Sequence, residues 1–189
     1  KAAGADTVIT GNWGNDMSLL IKAAKDAGFN ANFYTYYAGA AGTPTVIGTA
    51  MEGKIKVVYG SYSNLPGDHQ KVSNDFRKQY NEDYSTSTIY HLFRMLPAAM
   101  AKAKSTAPVK VAFAMEGLTV SSFNGDITMR KSDHQLQQTL YQFTWRKKDA
   151  KNPFDVEGTG MTWVAERTFE PYVSSTPTTC DMKRPAGGG

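Results

Sequence analysis

Cysteine is nearly missing from this sequence. The single one, Cys180 in Ser-Thr-Pro-Thr-Thr-Cys, leaves no disulfide framework within the chain, and such sparing use suits a cytosolic and a bacterial exported protein equally. Long apolar runs are absent as well: no stretch approaches the roughly 18 consecutive apolar residues that a membrane-spanning helix needs. Histidine is scarce. His69, His91 and His134 show no His-x3-His spacing and there is no cysteine pair, so no metal site is expected. The motifs of nucleophilic and nucleotide chemistry are also missing. Gly60-Ser61-Tyr62-Ser63 lacks the second glycine of G-x-S-x-G, and neither G-x-G-x-x-G nor a phosphate loop occurs. Asp133 and His134 are neighbours whose side chains point apart, and no specific carboxylate pair stands out. The expectation is therefore a protein that is not an enzyme and has no cofactor. Charge excludes a further class. The formal net charge is +4, but the basic residues are dispersed, and the densest groups, Arg146-Lys147-Lys148 and Lys183-Arg184, fall in loop and tail. A nucleic-acid surface shows a basic stripe with interleaved aromatics, so no nucleic-acid partner is expected.

What the chain does have is apolar and aromatic material. With 189 residues, 41% hydrophobic and 12% aromatic, it can bury a sizeable core. The stretch from Asp6 to Tyr37 organises the rest. A short apolar run, Thr7-Val8-Ile9-Thr10, breaks at Gly11-Asn12-Trp13-Gly14. Met17, Leu20, Ile21 and Ala24 then recur at the i, i+3, i+4, i+7 spacing of one helix face. Asn15 or Asp16 is expected to cap the start, and Gly28 stands where a left-handed stop is wanted. A second apolar run, Ala31 to Tyr36, follows. Strand, helix and strand within about 30 residues are the signature of a right-handed parallel crossover.

Such a unit presents its functional loops at the carboxyl ends of its strands. Here these are Gly11-Asn12-Trp13-Gly14 and Tyr34-Thr35-Tyr36-Tyr37-Ala38-Gly39, both with aromatic rings, amides or hydroxyls, and glycines. Rings beside hydrogen-bonding groups suit a small organic ligand better than a phosphate. The alternative is that they cap the sheet edge and bind nothing.

Further along, Thr43-Pro44 predicts an N-cap and first helical residue for a short helix, Pro44 to Ala50. Lys54 to Tyr59 reads as a strand. Asp68 to Tyr80 is helical, with Val72, Phe76 and Tyr80 on one face. Ser87 to Lys104 is a second helix, with Ile89, Leu92, Phe93, Leu96, Met100 and Ala103 as an apolar stripe most simply read as core packing. Pro97 lies inside it, and His91 beside the stripe reads as a structural histidine. Pro108 to Gly117 fits both a strand alternation and a helix face. Asn124-Gly125-Asp126 between extended runs is a strong turn signal. Tyr141 to Trp145 and Met161 to Phe169 read as strands, and the Ser/Thr/Pro-rich tail from Pro171 as extended along a surface.

Asn124 to Arg130, followed by Asp133-His134-Gln135, closely resembles a stretch of the type I periplasmic binding proteins, the leucine/isoleucine/valine-binding-like receptors of ABC importers. The opening is similar to the same family in Ala3-Gly4-Ala5-Asp6, the apolar strand, Trp13-Gly14-Asn15-Asp16 and Lys22-Ala23-Ala24-Lys25-Asp26-Ala27-Gly28. Glu52-Gly53 before the strand at Ile55, and Ala112 to Leu118, match too. The resemblance runs in order from Lys1 to Pro171.

The resemblance implies an α/β fold of two doubly wound parallel-sheet lobes. This chain would supply the second lobe (1–60 and 136–173) and the last helical part of the first (61–135). A tail, 174–189, would end in Gly187-Gly188-Gly189, which resembles an added linker. On that plan Pro108 to Gly117 is a helix. The implied ligand contacts are Asn12, Trp13, Tyr36 and Tyr37, with Tyr59 and Tyr62 at the hinge. The implied function is capture of a small organic ligand, a branched-chain or aromatic amino acid or an aromatic acid, for delivery to an ABC permease from the periplasm. The rival readings are a ligand-sensing regulatory module of the same fold and, further off, an α/β enzyme. The first lobe's sheet would lie upstream of Lys1, so the chain reads as a carboxyl-terminal half that needs a complementary amino-terminal half. Cys180 is a candidate to pair with a cysteine there.

Overall fold

The computed structural model describes residues 2–84, 87–123 and 125–186. The chain divides into two compact units: Lys1–Ser85 with Tyr141–Thr168, and Thr86–Leu140 with Phe169–Gly189.

The first unit is built on the expected crossover. β1 (Thr7–Ile9), α1 (Gly14–Asp26) and β2 (Asn32–Thr35) follow in order, and β1 pairs parallel with β2, Val8 opposite Phe33. Helix α1 buries Met17, Ile21 and Ala24, the spacing that puts three side chains on one face. It stops as Gly28 predicts. At φ +55° that residue takes the left-handed conformation, and the N–H groups of Gly28 and Phe29 return to the carbonyls of Lys25 and Ala24. Its start differs from expectation. The helix begins at Gly14, so Asn15 and Asp16 already lie inside the first turn and no side chain caps it.

β3 (Ile55–Tyr59) adds parallel to β2, with Phe33 opposite Ile55. β7 (Leu140–Lys147) then joins antiparallel, Val57 opposite Phe143, and β8 (Met161–Phe169) completes the order β1-β2-β3-β7-β8. Met17 and Ile21 of α1 share one buried cluster with Phe33, Ile55, Phe143, Trp145 and Trp163. Trp145, fully buried, also satisfies its indole N–H on the Gly48 carbonyl at 2.8 Å.

Between β2 and β3, α2 spans only Thr43–Ile47, and a separate 3₁₀ turn covers Thr49–Met51. The expected single helix to Ala50 is interrupted at Gly48, whose φ of 57° and ψ of −166° lie outside helical space. Thr43 is not the cap either. Glu157, from the loop before β8, accepts from the Gly42 and Thr45 N–H groups at 2.6 and 2.9 Å and from the Thr45 hydroxyl at 2.5 Å.

Helix α3 (Asp68–Tyr80) falls in this unit, whereas the family plan groups it with 61–135. Its last turn is held here: the Arg77 guanidinium lies 3.8 Å from the Phe154 ring centroid, donates to the Asp155 carbonyl at 2.5 Å and pairs with Asp83. Its buried residues are His69 and Ser73, not the Val72–Phe76–Tyr80 row, and Tyr80 is exposed.

The second unit holds α4 (Ser87–Ala103), α5 (Pro108–Met115) and an antiparallel sheet of β4 (Thr119–Ser122), β5 (Gly125–Met129) and β6 (Leu136–Gln137). The segment that fitted two patterns is thus a helix. Asn124 lies outside the described residues, but β4 and β5 pair across it, Ser122 opposite Gly125. Helix α4 continues through Pro97. Its apolar stripe is only partly packed: Ile89, Leu92 and Phe93 are exposed, Leu96, Met100 and Ala103 are half-buried, and His91, Met95 and Ala99, four residues apart, are the buried side. The inward face meets α5 and β4, which leaves the apolar row outside.

Candidate functional site

The candidate residues lie after the three parallel strands of the first unit. Following β1, the Thr10 N–H donates to the Tyr34 carbonyl at 3.0 Å, extending the β1–β2 pairing into the loops. Asn12 is tied back locally. Its N–H donates to the Thr10 hydroxyl oxygen at 3.1 Å, and that hydroxyl donates to the Asn12 side-chain oxygen. Trp13 is the N-cap of α1 and is 69% exposed.

After β2, Tyr36 and Tyr37 are 61% and 49% exposed. Their rings stand edge to face with centroids 6.3 Å apart. The Tyr37 N–H donates to the Thr35 hydroxyl at 3.2 Å, which anchors the turn to the buried end of its strand. Because β1 and β2 are neighbours, Asn12, Trp13, Tyr36 and Tyr37 occupy adjacent loops at one end of the sheet. Rings of this kind left in water, beside hydroxyl and amide groups, can clasp an apolar body and hydrogen-bond a polar end.

Tyr59 and Tyr62 are placed differently. Tyr59 closes β3, opposite Tyr141, and is half-buried. Tyr62 turns back onto the core. Its ring stacks on Trp163 at 5.5 Å between centroids, meets Phe143 edge-on at 4.7 Å and tilts against Tyr59 at 5.5 Å. Burial pushes the Tyr62 phenol far above its ordinary pKa, with Tyr59 adding to the effect, so its hydroxyl is neutral at any physiological pH.

A hollow of about 790 Å³ has Gly39, Tyr62, Arg77, Phe154, Glu157 and Trp163 among its lining residues; of the expected contact residues only Tyr62 lines it, and Asn12, Trp13, Tyr36, Tyr37 and Tyr59 do not. Gly39, Glu157 and Trp163 did not stand out in the sequence. Only the glycine carried a signal, as the residue that ends the aromatic turn. Among the described residues no group of three or more His, Cys, Asp or Glu could hold a metal ion, and no helix is long and apolar enough to cross a membrane.

Comparison with known proteins agrees on the family. The Leu/Ile/Val-binding protein homolog 4 of Brucella abortus (strain 2308) is 30% identical over 201 residues, a match that covers 98% of this chain and 46% of that protein. The solved leucine-, isoleucine-, valine-, threonine- and alanine-binding protein from Brucella ovis, in a closed conformation, superposes with a TM-score of 0.84 at 29% identity. That match covers 97% of this chain and 48% of the other. A solute-binding protein of an ABC transporter from Rhodopseudomonas palustris BisB5, in complex with 3,4-dihydroxybenzoic acid, shares the fold with a TM-score of 0.69 at 14% identity; 90% of this chain and 46% of that one are covered. The chain thus spans about half the length of the curated relatives it matches. Its mixed α/β architecture, with a sheet that contains parallel strands, is that of a lobe of the type I periplasmic binding proteins. A family model described as periplasmic binding protein matches residues 1–151, and the chain belongs to that family.

Proposed function

We propose that this chain is the carboxyl-terminal part of a solute-binding protein that captures a small organic ligand in the periplasm and delivers it to an ABC permease. The observation that carries this reading is the exposure of Trp13, Tyr36 and Tyr37 on adjacent loops at the carboxyl ends of β1 and β2. Open α/β sheets bind ligands at that end of their strands. The ligand is a branched-chain or aromatic amino acid, or an aromatic acid. Rings hold its apolar part, and Asn12 or a tyrosine hydroxyl meets a polar end. The names of the Brucella relatives point to amino acids of this kind. The Tyr34–Gly39 turn carries no charged side chain, so the ligand's own charges fall to a complementary amino-terminal half. A ligand that touches both halves only when they close would shift the protein toward its closed state.

Calorimetric titration of the intact two-lobed protein with leucine and with 4-hydroxybenzoate tests the assignment. Trp13→Ala and Tyr37→Ala should each weaken binding by about 2 kcal/mol, roughly 30-fold, as central aromatic anchors do. The absence of heat with both ligand classes would remove the proposed substrate range.

A further inference from the structure

Gly39 and Tyr62 approach each other more closely than any side chain at position 39 would allow. A methyl group built on Gly39 would lie 2.0 Å from the Tyr62 Oη, 2.8 Å from Cζ and 2.9 Å from Cε1. Gly39 is not among the residues with positive φ, so the glycine is there for space and not for an unusual backbone. The ring is braced on two sides, because Trp163 stacks on it and Phe143 abuts it, both buried, and its free side faces the hollow that it lines. The turn is held on both sides of this contact. Upstream, the Tyr37 N–H is bonded to the Thr35 hydroxyl. Downstream, Ala40 N–H donates to the Tyr37 carbonyl at 3.1 Å, Thr43 N–H to the Ala40 carbonyl at 3.0 Å, and Glu157 fastens Gly42 and Thr45. The turn that bears Tyr36 and Tyr37 is thus pinned at its ends and rests at its middle on one aromatic ring.

We propose that Tyr62 is a positioning residue: through its contact at Gly39 it sets the height of the Tyr36–Tyr37 turn, and so which ligand shape that turn accepts, without touching ligand itself. This rests on the reading of Tyr36 and Tyr37 as ligand contacts. Packed interiors transmit a displacement of this kind because neither the stacked ring nor the bonded backbone can absorb it alone. The small-residue requirement therefore falls on position 39, and the bulk of residue 62 tunes the site from below.

The test uses the intact two-lobed protein with five sequences in this part of it: the parent, Gly39→Ala, Tyr62→Leu, and the doubles Gly39→Ala/Tyr62→Leu and Gly39→Ala/Tyr62→Phe. Amide hydrogen exchange reads the turn directly. In Gly39→Ala the Ala40 and Thr43 amides should exchange about tenfold faster, the scale of an overpacked contact, while those of α1 stay as in the parent. Leucine at position 62 should return them to the parent rates. Phenylalanine should do so only in part, because Cζ and Cε1 remain within 3 Å of the added methyl. In parallel, the ratio of affinities for leucine and 4-hydroxybenzoate should move in Gly39→Ala and return in the leucine double variant. Unchanged exchange in Gly39→Ala, equal acceleration throughout the unit, or no return with Tyr62→Leu overturns the proposal. Should the parent bind neither compound, the ligand role of the turn is lost, and with it the selectivity assigned to Tyr62. The exchange rates then still decide whether ring and turn are coupled.

Discussion

In the first unit Trp13, Tyr36 and Tyr37 stand exposed on loops after β1 and β2, whereas in the second Ile89, Leu92 and Phe93 stand exposed in a row along α4. The first group mixes rings with hydroxyls and an amide from Thr10, Asn12 and Thr35, as suits a molecule with both apolar and polar parts. The second is a bare apolar row on a helix, as suits packing against another apolar surface. The interiors differ in the same sense. The first unit has one continuous cluster that includes two tryptophans, two phenylalanines and several aliphatic residues. The buried apolar residues of the second are Met95, Ala99, Val111, Phe123 and Ile127. Both units leave some apolar side chains outside, Ile9 and Leu19 among them in the first, but the first has the larger buried apolar cluster.

That contrast can be broken by measurement. Trp145→Ala should cost about 3–5 kcal/mol in urea unfolding, the range for a buried large aromatic, and a loss below about 1 kcal/mol would deny the first unit its well-packed centre. Met95→Ala should cost about 2 kcal/mol, the low end for a buried methionine, because fewer buried neighbours surround it. A loss equal to that of Trp145→Ala would erase the difference between the interiors.

A smaller effect separates the units by pH. His91 is buried, and its Nδ1 lies 2.6 Å from the Ser122 hydroxyl. Burial holds its pKa below the ordinary histidine value, with Gln138 pulling weakly the other way, so the folded chain favours the neutral ring. The stability this group contributes is complete above about pH 6.5, the unfolded value, and is lost as pH falls through the lower folded value. The second unit's unfolding midpoint should therefore decline between pH 7 and 5, and His91→Phe should flatten the decline. Smallest of all, Phe93→Ser should change stability by no more than about 0.5 kcal/mol, since its ring is 70% exposed. A large loss would mean that the row on α4 is already packed.

How legible these features were in the sequence depends on how local their causes are. The β1–α1–β2 crossover was legible because its determinants, the Met17–Ile21–Ala24 spacing and the Gly28 stop, lie within one short segment. The segment from Pro108 was not, since eight residues can satisfy a two-residue and a 3.6-residue period at once, and only the family resemblance favoured the helix that forms. In α4 the pattern revealed two chemically distinct faces but not which of them meets neighbours. That is decided by α5 and β4, which follow α4 in the chain and lie outside its own pattern. For the candidate site, β1 and β2 are parallel neighbours, so Asn12, Trp13, Tyr36 and Tyr37 fall at one end of the sheet, a placement that the strand–helix–strand pattern already implies. Tyr62 followed a tertiary cause, a space left by Gly39 and a platform supplied by Trp163, and no local pattern encodes either.

Glu157 joins parts of the first unit that are distant in sequence. Its backbone sits in the left-handed region at φ 53°, its N–H donates to Asp83 at 2.8 Å, and its carboxylate holds the start of α2. One residue thereby staples the connection before β8 to the segment after the tyrosine turn and to the end of α3. A chimera that swaps the 148–160 connection for that of a relative, without carrying over its matching 42–45 segment, would release this staple and slacken the tyrosine turn from behind, although no ring in the turn had been altered.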